Sequence, residues 1–116
     1  MNYRKLLAPL TLALAFSTAW AAPCEPSNFV VKNVSTRQDF GYVTFVGTIV
    51  NGSSVRCAVQ LNASTYDKNG VVLETKTFWP FSSRALAPES SENFSTFMRD
   101  VKGTTAYEFV PIAVRY

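Results

Sequence analysis

Val55-Arg56-Cys57-Ala58-Val59-Gln60-Leu61-Asn62-Ala63-Ser64-Thr65-Tyr66-Asp67 alternates with a period of two. Val55, Cys57, Val59, Leu61 and Ala63 point one way, and Arg56, Gln60, Asn62 and Ser64 the other. That pattern builds a half-buried β-strand, not a helix, whose apolar positions would recur every three to four residues. Asp67-Lys68-Asn69-Gly70 follows as a turn, because Asn-Gly supplies the positive φ of a tight hairpin. Val71 to Phe78 then returns as the partner strand. The hairpin puts Cys57 on the core face.

Working outward, Phe29 to Val34 is a short apolar run that predicts a first strand. Tyr42 to Val50 predicts a second, with Val43, Phe45 and Ile49 on one face and Tyr42, Thr44 and Thr48 on the other. Asn93 to Asp100 and Ala106 to Tyr116 are the last two, separated by a Val-Lys-Gly-Thr turn. Pro111 interrupts the final strand and predicts an edge position or a bulge there. The segment from Phe81 to Glu92, rich in Ser, Ala and Pro, carries no strand pattern. Nothing after Pro26 has a helical period. About six to seven short strands make an all-β, antiparallel β-sandwich, and without repeats or linkers the chain forms one domain.

The first 21 residues read differently. Arg4 and Lys5 give a positive start, Leu6 to Phe16 an apolar stretch, and Ala19-Trp20-Ala21 a small-x-small cleavage pattern. Residues 1–21 are therefore expected to be a signal peptide and residues 22–116 the mature domain, secreted or periplasmic. The apolar stretch is well short of the ~20 residues that span a bilayer, so no membrane anchor is expected after cleavage. The full chain has 116 residues and a formal charge of +3; without Arg4 and Lys5, 9 basic residues face 8 acidic ones. Such a balance gives no basic face for nucleic acid. Histidine is absent, which excludes His-based triads, general bases and metal sites.

Cys24 and Cys57 are the two cysteines of the chain. Ala21-Ala22-Pro23-Cys24 faintly resembles a lipoprotein box, although Pro23 and Ala21 depart from its pattern; on that reading Cys24 carries a lipid. The favoured reading pairs Cys24 with Cys57 in an oxidising compartment. The third arrangement, two free thiols, leaves an exposed cysteine on a secreted protein.

Gly47-Thr48-Ile49-Val50-Asn51, Tyr66-Asp67-Lys68-Asn69-Gly70 with Val71 and Val72, and Leu86-Ala87-Pro88-Glu89 with Phe94 together resemble the FxLYD domain. That family is a small immunoglobulin-like module of secreted and surface proteins, chiefly prokaryotic. The resemblance spans roughly residues 29–115. Ala63 and Thr65 stand where the family usually has Phe and Leu, and no glycine separates Pro88 from Glu89. The resemblance implies an immunoglobulin-like sandwich without catalytic machinery. Physically, the same residues read as turn makers and close-approach positions: Gly47 for a bulky neighbour, Asn51 and Asp67 for bonding their own backbone.

Little else suggests chemistry. Asp67 and Asn69 are too few oxygen ligands for calcium, and two cysteines without histidine do not make a zinc site. No serine lies in a Gly-x-Ser-x-Gly elbow or a Ser-x-x-Lys pair. No enzyme activity, metal or cofactor is expected. Asn33, Asn51, Asn62 and Asn93 each begin an Asn-x-Ser triplet, which the bacterial look of the leader renders silent.

The aromatic residues are the informative surplus. Phe78-Trp79-Pro80-Phe81 is the densest cluster and adjoins the long loop. On one reading two of the aromatics fill the sandwich and the rest cap its open end, since small domains need large side chains in the core. On the other, Phe78, Trp79 and Phe81, with Arg84 as a rim contact, are the candidate protein-binding patch. Two functions follow: a protein-interaction or accessory module of the cell envelope, or an inhibitor or immunity-type protein that blocks an enzyme through loop 81–92.

Overall fold

The computed structural model describes residues 24–82 and 84–116, so the leader expected over residues 1–21 lies outside them. A single 3-10 turn, Pro26–Asn28, precedes six strands: β1 (Phe29–Asp39), β2 (Tyr42–Asn51), β3 (Ala58–Tyr66), β4 (Val72–Phe78), β5 (Ser91–Arg99) and β6 (Ala106–Arg115). They form two antiparallel three-stranded sheets, ordered β1-β2-β5 and β4-β3-β6. The chain crosses between sheets after β2, after β4 and after β5, so that β2 pairs with β5 and β3 with β6 in an immunoglobulin-like sandwich with six described strands.

Alternation decides which side chains meet between the sheets. Ile49 and Phe45 of β2, Val59, Leu61 and Ala63 of β3, and Phe94 and Met98 of β5 are buried. Phe94 meets Phe109 of β6 edge to face at 5.7 Å, and Phe45 meets Phe109 likewise at 5.3 Å. Gly47 completes this layer, because a Cβ there would lie 2.8 Å from the Phe94 ring. The mid-strand glycine thus makes room for an aromatic, as its position in the strand implied.

Turn chemistry closes the β3–β4 hairpin. Asp67 Oδ1 accepts from the amides of Asn69 and Val71, and Gly70 has φ of +80°. Pro111 proves to be both on an edge and at a bulge: β6 is an outer strand, and its register against β3 shifts between Gln60 and Leu61.

Three expectations need correction. β1 is nearly twice the length expected, continuing from Val34 to Asp39. A bulge between Lys32 and Ser35, with Asn33 at φ of 56°, resets the register, and Ser35–Asp39 then pairs with β2. These residues form an exposed edge, so no apolar alternation marks them. β3 begins at Ala58 rather than Val55, because Asn51 and Ser53 engage the Val55 backbone in a turn. The loop after β4 is not free of pairing either: Leu86 bridges Cys57 and is buried.

Candidate functional site: the two ends of the sandwich

One end holds the ends of β2, β4 and β6 and the start of β3. Cys24 and Cys57 are disulfide-bonded there, with Cα atoms 6.6 Å apart and both residues buried. This is the favoured pairing of the two cysteines, and it leaves neither thiol free. Tyr116 Oη donates to the Cys24 carbonyl at 3.4 Å, tying the last residue of the chain to the disulfide.

The four residues singled out in the sequence all lie near this end, in different roles. Phe78 packs against both hydrophobic clusters, its ring 6.5 Å from that of Phe94. Phe81 packs against the cluster around the disulfide and carries the Arg84 guanidinium 5.2 Å from its ring. Trp79 is half-buried under Arg115, whose guanidinium carbon lies 4.3 Å from the ring centroid. Arg84 is exposed and forms an ion pair with Glu92. Core packing therefore absorbs Phe78 and Phe81, and Trp79 and Arg84 already have intramolecular partners.

Loop 81–92 is fastened along its length. Cys57 and Leu86 exchange both backbone hydrogen bonds, at 2.9 and 3.0 Å. Arg56 Nη1 donates to the Ala85 carbonyl at 3.4 Å. Asn51 Nδ2 donates to the carbonyls of Leu86 and Ala87 at 3.1 and 3.3 Å. The Arg84 hydrogen bond and charge hold the Glu92 carboxyl below its ordinary pKa. A carboxylate with a depressed folded-state pKa stabilises the fold fully above its unfolded value, and the contribution fades as pH falls through the folded one. The Arg84–Glu92 tie is thus expected to be intact at neutral pH and lost below the usual glutamate range. Amide exchange of residues 84–92 checks this: protection should fall on acidification in the native protein and stay flat in Glu92→Gln.

The opposite end and the adjoining outer face of the β1-β2-β5 sheet present aromatic rings to solvent. Phe40, in the β1–β2 turn, is fully exposed, and Tyr42 and Phe97 are each about half exposed, at 50% and 54%. The Tyr42 and Phe97 rings pack edge to face at 5.3 Å. Lys76 reaches over from β4, with Nζ 4.5 Å from the Phe97 centroid, and donates to Thr96 Oγ1 and the Phe97 carbonyl, each at 2.9 Å. A shallow depression lies on each side of Phe97, one lined by Glu74, Lys76 and Arg99 and the other by Asp39, Tyr42 and Thr44. At its rim the Asp39 carboxyl is held below its ordinary value by hydrogen bonds from Arg37 and Thr44.

Sequence reasoning passed over this aromatic patch, although alternation contains it. Phe94, Thr96 and Met98 point inward, so Phe97 must point outward. Aromatics are densest at the other end, around Trp79, where Phe78 and Phe81 pack into the core.

No family model matches the chain, and no curated protein matches its sequence. The FxLYD resemblance therefore rests on its motif residues alone. Among solved structures, the chain is similar to a DUF1425 family member from Shewanella sp. pv-4. The two share 20% sequence identity with a TM-score of 0.51, covering 76% of this chain and 77% of that one. At that identity the likeness shows a shared fold.

Proposed function

We propose that this domain is a non-enzymatic protein-binding module of the bacterial envelope, secreted or periplasmic, that contacts its partner through Phe40, Tyr42 and Phe97. The observation that carries the reading is the exposed Tyr42–Phe97 pair. On this outer face two half-exposed aromatics pack edge to face, flanked by Lys76, Asp39 and Arg99. An aromatic centre with a charged rim is the composition of an interface core and its surround.

The leader pattern of residues 1–21 and the Cys24–Cys57 disulfide support export to an oxidising compartment. Among the described residues, no helix is long and apolar enough to cross a membrane. An FxLYD-like relationship fits the sandwich and the Asp67–Gly70 hairpin. The inhibitor alternative has weaker support, since loop 81–92 is fastened to Cys57, Asn51 and Arg56.

The test is cross-linked affinity capture from native envelope, using the exported protein and its Phe97→Ala and Trp79→Ala variants. A stoichiometric partner retained by Trp79→Ala and lost from Phe97→Ala is expected. Loss in Trp79→Ala alone would move the contact to the disulfide end, and capture of nothing would overturn the proposal.

A further inference from the structure

A sheet edge is a row of unpaired backbone groups, and proteins close their edges or use them. Four strands stand at edges here, β1 and β5 in one sheet and β4 and β6 in the other. Side chains tie β4 to β5: Arg99 Nη2 meets Glu74 Oε1 at 3.3 Å, and Lys76 Nζ donates to the Phe97 carbonyl at 2.9 Å. β6 is interrupted by Pro111 and its register shift. The first part of β1 carries the bulge at Asn33, and Tyr107 Oη donates to the Val34 carbonyl at 3.3 Å. Residues 35–39 of β1 have no such device. They pair with β2 in unbroken register, and all five are exposed.

The hairpin turn decides which backbone groups of this edge face outward. Asp39 and Tyr42 pair across the two-residue turn Phe40-Gly41, which leaves room only for the hydrogen-bonded kind of pair. Such pairs alternate along a ladder, so Arg37 and Ser35 also direct their N–H and C=O groups to β2. Those of Thr36 and Gln38 point the other way, where, among the described residues, no strand pairs with them. The Gln38 side chain turns aside to Asp100 and leaves the edge clear. Arg37 and Asp39 share one face of the strand, ion-paired with each other at 3.2 Å.

We infer that this edge pairs with the same edge of a second copy of the chain, antiparallel, about a two-fold axis at Gln38. Three registers bring the outward backbone groups of Thr36 and Gln38 together. Centring on Thr36 sets Gln38 against Val34, whose carbonyl Tyr107 already occupies. Setting Thr36 against Gln38 puts Arg37 directly opposite Arg37 of the second copy, and like charges so opposed destabilise a sheet. Centring on Gln38 puts Arg37 opposite Asp39 of the second copy, and symmetry repeats the contact. The four charges then alternate in sign around the axis. Val34 and the bulge fall beyond the turn of the second copy, so the Tyr107 hydrogen bond is kept. The pairing joins two β1-β2-β5 sheets into one of six strands. It is carried by the edge and does not rest on the aromatic contact surface proposed above.

Sedimentation equilibrium of the oxidised protein, recovered after export of the full chain, tests this over a concentration series. The mass should rise from monomer to dimer and stop there, because a two-fold contact closes on itself. Hydrogen exchange at the Gln38 amide should slow with concentration, while the amides of Arg37 and Asp39, already bonded to β2, should not change. Arg37→Glu and Asp39→Arg each oppose like charges, so either variant alone should dimerise about tenfold more weakly. An equimolar mixture of the two opposes two acidic residues to two basic ones and should associate at least as well as the native protein. That recovery also shows that both variants fold. A native protein that stays monomeric, single variants that associate like it, or a mixture no better than its components would each overturn the inference. So would protection of the Gln38 amide by a different, captured protein while the chain itself stays monomeric, which gives the edge to another partner. Phe97→Ala should dimerise like the native protein. Loss of self-association there, with the charge variants unaffected, would move the contact to the outer aromatic face and overturn the inference.

Discussion

Replacing Asn51 with alanine is expected to lower unfolding stability by about 3 kcal/mol, far more than an average asparagine substitution. Asn51 is fully buried at the end of β2. Its Nδ2 donates to three carbonyls, those of Val55, Leu86 and Ala87, at 2.9, 3.1 and 3.3 Å. Its Oδ1 accepts from the Ser53 amide at 2.9 Å and from Ser53 Oγ at 2.7 Å. One side chain thus joins the turn before β3 to the middle of loop 81–92. The carbonyls are not orphaned entirely by the substitution: Leu86 still accepts from the Cys57 amide and Ala87 from Ser90 Oγ. The loss falls mainly on the buried Ser53 amide and on the cavity left behind, which is why the estimate stays near the low end for so many broken bonds. Asn51→Asp should do no better than alanine, since a carboxylate would face three carbonyl oxygens with no proton to donate. Urea unfolding of both variants checks this, with Asn93→Ala as the control. Asn93 is exposed and bonds only Thr48 Oγ1, so it should change stability by less than about 0.5 kcal/mol. An Asn51→Ala loss as small as the control's would mean that loop 81–92 is held by Leu86 and the disulfide alone.

How far the sequence discloses this molecule varies with the kind of side-chain signal each element carries. β3 is legible because one face is buried along most of its length, so Cys57 to Ala63 alternate with polar partners. The second half of β1 is illegible for the opposite reason. Ser35 to Asp39 lies on an exposed edge and is held by backbone bonds to β2, which leave no trace in side-chain polarity. Asn51 was readable as a turn former, and its amide does cap Ser53, yet its reach to Leu86 and Ala87 spans more than thirty residues and has no local signature. Thr65 shows the same limit. Its place in the alternation puts it on the core face, but whether a buried threonine finds a partner depends on the opposing sheet. The candidate interaction residues named from the sequence follow local aromatic density, which does not distinguish packed rings from exposed ones. Phe78 and Phe81 lie where both sheets converge, whereas Phe97 lies one residue out of phase with Thr96 and Met98 and meets solvent.

The second large effect concerns the disulfide. Replacing Cys24 and Cys57 together with alanine, or reducing the bond, is expected to cost about 3–4 kcal/mol and roughly 15–25 °C in Tm. The bond joins residues separated by 33 positions, and confining a loop of that length in the unfolded chain accounts for nearly all of the figure. The folded state adds to it locally. Cys24 is buried in the core cluster, but its described polar ties are slight: the 3-10 turn Pro26–Asn28 follows it, and Tyr116 reaches its carbonyl only through a long hydrogen bond. Cys57 instead is anchored on both sides, by Leu86 and by β3. Reduction should therefore release the Cys24 arm first and leave the β3–β6 and β2–β5 pairings intact until global unfolding. Amide exchange under native conditions distinguishes the two: early loss of protection at residues 25–28 and at Tyr116, with Val59 to Ala63 and Phe94 to Met98 protected, is the expected pattern. Simultaneous loss across all strands would show that the disulfide holds the sheets together rather than closing an arm onto them. A stability change under about 1 kcal/mol would show that the reduced, unfolded chain is already compact enough for the covalent tie to remove little of its freedom.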